Sequence, residues 1–193
     1  MSRLYIIGAG PGSPLHVTNQ AREAVKECDT IMGFKSRIRL FDVSGKKVVV
    51  TGDEDEGGGL TGLNRELMWV KEAVESAGRG CETALLSAGD PGVYGIAGLV
   101  FEYLAEKGLD IDVEVVPGLC AHLPAASTLG APLMQDHACI SLSDLLTPWS
   151  VTESRLEAAV KADFVIVIYN PKSSHPKRNW QFNKALEILK QLL

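Results

Sequence analysis

Two glycine-rich motifs carry the residue types from which a ligand site could be built. GAGPG occupies residues 8–12, GDPGVYG occupies residues 89–95, and each follows an apolar run. Glycine lets the backbone approach a ligand closely, and Asp90 can accept hydrogen bonds from ligand hydroxyls or from loop amides. VVPGLCA at 115–121 repeats the arrangement. These motifs predict a small-molecule cofactor at strand ends, with a simple Asp-Pro-Gly turn into a helix as the alternative for the second one.

The first glycine motif does not fit the dinucleotide fingerprint G-x-G-x-x-G. Gly8 and Gly10 fit, but Ser13 stands where the third glycine is needed, and Pro11 follows Gly10 directly. The acidic residue expected after the second strand is missing, since Asp29 precedes that strand. The sequence has no phosphate-binding G-x-x-x-x-G-K-[ST] motif either. Dinucleotide binding is therefore the weakest of three interpretations. The other two are a tight turn that only redirects the chain and a turn shaped around another cofactor, and the last is favoured.

The bulk composition excludes several classes of protein. The 193 residues are 46% hydrophobic and carry a formal net charge of −5, which is typical of a globular protein and argues against a nucleic-acid binder. No apolar run reaches membrane-spanning length, and Met1 leads directly into a strand without a signal peptide, so we expect a cytoplasmic protein.

The cysteines and histidines are scattered. No C-x-x-C pair is present and no two histidines form a helical pair, so we expect neither a disulfide framework nor a bound metal. The residues concerned are Cys28, Cys81, Cys120, Cys139, His16, His122, His137 and His175.

Apolar runs alternate with helical patterns along the chain. Strands are predicted at 4–8, 30–34, 46–52, 82–89, 111–118, 138–144 and 163–171, and helices at 18–29, 63–80, 94–108, 121–131, 152–162 and 180–193. Uninterrupted apolar strands that alternate with helices predict an α/β fold with a mostly parallel sheet covered on both faces. Thr18 and Thr152 are predicted N-caps, because a hydroxyl can accept a hydrogen bond from an amide of the first turn.

The alternation predicts two domains, an N-terminal α/β domain at 1–131 and a C-terminal α/β domain at 132–193. The second domain supplies only two clear strands, and about sixty residues make a marginal core. We therefore expect that it leans on a partner subunit or that its fold is incomplete at the C-terminus. An acidic, glycine-rich insertion at 53–59 predicts a surface loop.

The motifs together resemble the tetrapyrrole (precorrin) methylase family. Its G-x-G-P-G-S-x-x-x-x-T segment is matched from Gly8 to Thr18, its GDP motif at 89–91, and its V-P-G motif at 116–118. GDPGVYGIAGLV, SLSDLLTPW (141–149) and YNPKS (169–173) are most similar to the members that methylate C17 of precorrin-3B or of its cobalt-containing counterpart. The resemblance spans the whole chain, although family members normally continue past the last helix with further strands.

This resemblance implies a two-domain tetrapyrrole methylase-like fold, a homodimer, and S-adenosylmethionine as the methyl donor, bound in a cleft between the two domains. The residues that it assigns to the cofactor are Gly10, Pro11, Gly89, Asp90, Val93, Tyr94, Cys120, Ala121 and Asn170. The implied function is methyl transfer to C17 of the tetrapyrrole with contraction of the macrocycle, in the biosynthesis of the cobalamin ring.

Ring contraction needs proton movement, and the sequence offers several candidates without selecting one. The candidate catalytic residues are Asp144, Tyr94 and His137, and Ser141 and Ser143 are polar neighbours expected at the substrate.

The tetrapyrrole carries many carboxylates, so an acidic protein needs local cations to bind it. Lys35, Arg37, Arg39 and Lys172 are the predicted substrate-binding cations, together with Lys177 and Arg178, and ordinary solvated loop charges are the alternative.

Two other functions stay open at this point. A non-catalytic or split-subunit tetrapyrrole- or nucleotide-binding module of the same family would bind the donor without turnover. A nicotinamide-dependent oxidoreductase would bind NAD.

Overall fold

The computed structural model describes residues 2–51, 62–172 and 180–192. The chain divides into two compact units, Met1–Ala121 and His122–Leu193. The division falls ahead of the predicted boundary at 131/132, because the small-residue helix after Ala121 belongs to the second unit. The domain limits 1–131 and 132–193 stay a prediction.

The first unit alternates strands with helices. In order, its elements are β1 (Arg3–Gly8), α1 (Asn19–Glu27), β2 (Thr30–Gly33), α2 (Lys35–Ile38), β3 (Lys47–Val50), α3 (Gly62–Gly78), β4 (Thr83–Ser87), α4 (Ala97–Lys107) and β5 (Asp112–Val116). The five strands form one sheet in the order β3-β2-β4-β1-β5, and every neighbouring pair is parallel. The predicted α/β class with a mostly parallel sheet is confirmed.

Helices cover both faces of this sheet. Ile7 of β1 belongs to a buried cluster with Val25 of α1, whereas Ile6 belongs to a second cluster with Val70 of α3 and Val100 of α4. All five side chains are essentially inaccessible to solvent. Burial of each such side chain contributes roughly 1.5–3 kcal/mol, which explains why the strands read as uninterrupted apolar runs.

The second unit contains α5 (His122–Thr128), β6 (His137–Ser141), α6 (Trp149–Lys161), β7 (Val165–Tyr169) and α7 (Trp180–Leu192). Strands β6 and β7 are paired in parallel. Ile140 and Leu142 pack in one cluster with Leu156 of α6 and with Ala185 and Ile188 of α7. Helices α6 and α7 therefore pack on the face of β6 that carries Ala138 and Ile140.

Three local features differ in how well the sequence predicts them. Thr18 is the N-cap of α1, as predicted, since its Oγ1 accepts a hydrogen bond from the Ala21 amide at 3.1 Å. Thr152 was wrongly predicted as a cap. Helix α6 begins at Trp149, directly after Pro148, whose fixed φ suits a helix start. Thr152 therefore lies inside the helix, where its side chain is buried. The short helix α2 was not predicted.

Candidate functional site

The carboxyl ends of three adjacent strands, β4, β1 and β5, bring the three glycine motifs together. A β-carbon on Gly8 would lie 2.5 Å from the Gly118 amide nitrogen and 2.8 Å from the Gly89 carbonyl oxygen. Side chains cannot be accommodated at such separations, so the three loops touch through their backbones. Open α/β sheets bind ligands at this edge.

Two hydrogen bonds join the first two glycine loops. The Gly10 amide donates to the Gly89 carbonyl at 3.2 Å, and the Gly89 amide donates to the Gly10 carbonyl at 2.9 Å. Both residues adopt positive φ, 69° and 60°, a region that glycine enters without strain. The pairing joins residues that lie far apart in the sequence into one continuous backbone surface. We call the surface formed by the backbone of Gly8, Gly10, Gly89 and Gly118 the floor.

Asp90 ties this floor to the third loop. Its Oδ1 accepts a hydrogen bond from the Gly92 amide at 2.8 Å, and its Oδ2 accepts one from the Gly118 amide at 3.0 Å. Of the two roles that the sequence left open for Asp90, the structure shows the contact with loop amides. The carboxylate therefore positions the loops after β4 and β5 relative to each other.

The predicted cofactor residues of the first unit lie along this edge. Val93 and Tyr94 follow Asp90 and are 36% and 52% exposed, so they offer apolar and aromatic surface beside the floor. A β-carbon on Gly89 would meet the backbone of Cys120 and Ala121 at 3.9–4.0 Å. Pro11 is exposed on the loop that carries Gly10. This combination of bare backbone and flat apolar surface fits an adenosine, and the assignment of these residues to the cofactor stays a prediction.

Tyr94 also marks a difference from the predicted helix. Helix α4 was expected to start at 94, but it begins at Ala97, since Tyr94 has a left-handed φ of 52°. A non-glycine residue in this region is uncommon and is typical of turns and functional loops.

A cavity of about 150 Å³ lies beside the floor in the same unit. Polar and aromatic side chains line it, among them Arg37, Thr51, Glu66, Trp69, Ser87 and Tyr94. Burial raises the pKa of the Glu66 carboxyl, and the Arg65 guanidinium opposes this shift. Arg37, a predicted substrate-binding cation, is thus placed at a cavity, whereas Lys35 and Arg39 lie exposed on or next to α2.

Glu66 and Trp69 were missed by the sequence analysis. They are three residues apart on α3, which places them on one helix face. That spacing was visible, but a glutamate in a long amphipathic helix normally faces solvent, so the pattern did not single it out.

The second unit joins two of the polar segments. The Asn170 side-chain amide donates to Ser141 Oγ at 2.8 Å, and the Ser143 backbone amide donates to the same oxygen at 3.2 Å. The register of β6 and β7 explains this, because Ser141 pairs with Tyr169, the residue before Asn170. Asp144 and Lys172 are exposed beyond the ends of these strands.

The three candidate catalytic residues are divided between the two units. Tyr94 belongs to the first unit. His137 begins β6, and Asp144 follows its other end. Lys177, Arg178 and the insertion at 53–59 lie outside the described residues.

His137 stands instead beside two residues that sequence reasoning did not connect with it. One potential ligand atom each of His122, His137 and Cys139 lies within 4.8 Å of the others. Burial lowers the pKa of His122, with a smaller contribution from His137, and burial raises the pKa of the Cys139 thiol. The signal that was available is the H-x-C spacing, which puts His137 and Cys139 on one face of a strand.

The parallel sheet and the floor at its carboxyl edge define a class of protein, and comparison of the sequence with known families identifies that class. The family described as tetrapyrrole (corrin/porphyrin) methylases matches residues 3–193. The chain belongs to this family, and the resemblance stated from the motifs is confirmed.

Particular relatives agree with this membership. The chain is similar to the cobalt-factor III methyltransferase of Priestia megaterium, with 44% identity over 193 residues, 97% of this chain and 34% of that protein. It is also similar to the probable cobalt-factor III C(17)-methyltransferase of Salmonella typhimurium, with 46% identity over 187 residues, 96% of this chain and 73% of that protein. The chain therefore spans about a third of the first relative's length.

Among solved structures, that of the methyltransferase CobJ superimposes with a TM-score of 0.87 at 32% identity, covering 100% of this chain and 77% of that one. The likeness extends over both units of the chain. Among the residues that the structure describes, no helix combines the length and the apolar character that a bilayer crossing needs.

Proposed function

We propose that the chain transfers a methyl group from S-adenosylmethionine to C17 of a precorrin-3-type tetrapyrrole, with ring contraction, in cobalamin biosynthesis. The observation that carries the proposal is the backbone floor at the ends of β4, β1 and β5, tied together by Asp90. Membership of the tetrapyrrole methylases supports it, and so do the names of the two curated relatives. These names favour an enzyme over a non-catalytic binding module.

The first unit supplies most of the proposed donor site. When bound, S-adenosylmethionine supplies a methyl group that is already electrophilic. Gly10, Gly89 and the loop at Cys120 offer backbone atoms to it, and Val93 and Tyr94 offer apolar surface. Asn170 is the proposed contribution of the second unit. These residues hold the donor in one orientation, and positioning of this kind can contribute ~7–11 kcal/mol to lowering the barrier.

The substrate proposal rests on charge. The protein has a net charge of −5, so a polycarboxylate must meet local cations. Arg37 lines the cavity beside the floor, and a guanidinium can bind a carboxylate with two parallel hydrogen bonds. Lys35 and Arg39 lie on the same segment, and Lys172 is the proposed cation of the second unit.

Both curated relatives described above are named for cobalt-factor III, which favours the cobalt-containing tetrapyrrole over the cobalt-free precorrin-3B. The cobalt is then part of the substrate. A homodimer in the cytoplasm remains the proposed setting of the reaction, from the family resemblance and the composition.

Titration calorimetry with S-adenosylhomocysteine tests the donor site. We expect one ligand per chain with a micromolar dissociation constant, and no binding of NAD. Asp90→Ala should weaken binding at least tenfold because the loops after β4 and β5 lose their tie. Asp110→Ala, the same change at an exposed aspartate away from the floor, serves as the control. Equal affinity in both variants would refute the proposed role of the floor.

Transfer of a labelled methyl group tests the reaction. We expect product with cobalt-factor III and less with precorrin-3B. Arg37→Gln should raise the KM for the tetrapyrrole and leave donor affinity unchanged. Arg79→Gln, at an exposed residue directly after α3, should alter neither. Donor binding without methyl transfer to either tetrapyrrole would establish the binding-module alternative.

A further inference from the structure

We propose that His122, His137 and Cys139 form a binding site for a zinc ion. One nitrogen of each imidazole and the Cys139 sulfur lie within 4.8 Å of one another. The inference goes beyond the proposed methyl transfer and does not depend on it.

The fold explains why these three residues meet. His137 and Cys139 are two residues apart on β6, so their side chains lie on the same face of the strand. His122 is the first residue of α5, and its ring centroid lies 5.6 Å from that of His137. The ligands therefore come from one strand and one helix start within the second unit.

The core helices lie on the other face of the two-stranded sheet. Ala138, Ile140, Ile166 and Ile168 pack in the cluster with α6 and α7. The residues that alternate with them include His137 and Cys139, which point away from that core. His122, His137 and Cys139 are therefore not part of the hydrophobic core of the second unit. His137 is exposed, whereas His122 and Cys139 are half-buried.

A fourth residue orients one of the ligands. Nδ1 of His122 lies 2.7 Å from the hydroxyl of Tyr169, at hydrogen-bond distance. Tyr169 belongs to β7 and pairs with Ser141, so it lies on the same face as Cys139. Histidines that bind metals generally donate a hydrogen bond from the second ring nitrogen, which fixes the tautomer and the ring orientation. With Nδ1 donating to Tyr169, Nε2 of His122 is the ligand atom.

The donor set selects the cation. Two imidazole nitrogens and a thiolate match borderline-soft zinc, whereas magnesium and calcium prefer oxygen ligands. Tetrahedral bonds of about 2.3 Å to sulfur and about 2.0–2.1 Å to nitrogen place the donor atoms roughly 3.3–3.6 Å apart. Zinc binding would therefore require the three side chains to rotate so that their donor atoms come closer than the present limit of 4.8 Å. The Cys139 thiol loses its proton to solvent on binding, and a water molecule completes the tetrahedron.

Cobalt(II) absorption titration tests the site, because Co²⁺ replaces Zn²⁺ in such sites and reports its ligands. The full chain, without a histidine tag and freed of metal by chelation, is titrated with Co²⁺ and then with Zn²⁺. We expect one equivalent to produce the visible bands of tetrahedral cobalt and a thiolate-to-cobalt charge-transfer band, and Zn²⁺ to displace both.

Four variants make the assignment specific. Cys139→Ser should abolish the charge-transfer band, and Cys81→Ser, at a half-buried cysteine of the other unit, should retain it. His137→Gln changes an exposed side chain, so the variant stays folded, and it should weaken Co²⁺ binding at least tenfold. Tyr169→Phe should weaken it by about tenfold, as expected for loss of the hydrogen bond that orients His122.

The melting temperature gives an independent readout. Zn²⁺ should raise it in the wild-type chain in a concentration-dependent way and leave the Cys139→Ser variant unchanged. Failure to bind one equivalent of cobalt, or a charge-transfer band that survives Cys139→Ser, would overturn the zinc site. Neither readout uses the methyl donor or a tetrapyrrole, so the result is separate from the proposed methyl transfer.

Discussion

The glycine floor of the first unit and the histidine-cysteine cluster of the second are built in opposite ways. The floor consists of backbone from three strand ends and leaves no room for side chains at Gly8 or Gly118. The cluster consists of side chains, one from the start of α5 and two from the face of β6 that is turned away from α6 and α7. A site made of backbone is inseparable from the fold, whereas a site made of side chains can be removed while the fold stays.

Gly118→Ala tests this contrast at its strongest. The added methyl group would collide with the backbone of Gly8 and Gly89, and neither can move without disturbing the sheet. Overpacking costs about 1–3 kcal/mol in ordinary cores, and we expect the upper end of this range or failure to fold. Chemical denaturation measures the free energy of unfolding.

Gly98→Ala is the matched control. Gly98 lies within α4, and an added β-carbon meets nothing within 4 Å, so the substitution should stabilise the chain by roughly 0.5–1 kcal/mol through helix propensity. Similar unfolding free energies for the two variants would show that the floor tolerates side chains.

Asp90→Asn should have the next largest effect. The change removes the charge from two hydrogen bonds to the Gly92 and Gly118 amides, and bonds of this kind to charged groups contribute about 1.5–3 kcal/mol each. Since asparagine keeps one accepting oxygen, we expect a loss of about 1.5–3 kcal/mol, measured by urea denaturation. Asp110→Asn should stay within about 0.5 kcal/mol of wild type.

His137→Gln should leave stability nearly unchanged when a chelator is present. The side chain is exposed and lies off the core, so we expect a change within about 0.5 kcal/mol. Thermal unfolding followed by circular dichroism is sufficient to measure it. A loss comparable to that of Asp90→Asn would place the cluster within the folding core and remove the contrast.

Glu66→Gln should give the smallest effect, and one that depends on pH. Burial raises the pKa of Glu66 in the folded state, so the folded chain binds a proton more readily than the unfolded chain. Stability from this group is complete below the unfolded pKa and is lost as pH rises through the folded pKa. The variant should therefore match wild type in acid and be slightly more stable at neutral pH. The opposite order would mean that ionised Glu66 is stabilised by its surroundings.

The sheet was predictable because burial on both faces leaves uninterrupted apolar runs in the strands. Thr18 was predictable because its cap depends only on local sequence. The position of Thr152 inside a helix was not predictable in this way, because Pro148 starts helix α6 about one turn before Thr152. Glu66 and the pairing of His122 with His137 depend on contacts between elements that local patterns do not report.

The order of strands in the first sheet determines when, during synthesis of the chain, the floor can form. Strand β1 pairs only with β4 and β5 among the described strands, whereas β2 pairs with β3, which follows it closely. During synthesis β1 must wait for residues 83–87 to leave the ribosome before it can pair with β4, and for residues 112–116 before it can pair with β5. Chains interrupted before β5 would retain the β2–β3 pair and lack the third glycine loop, so ligand binding would report that assembly of the sheet is complete.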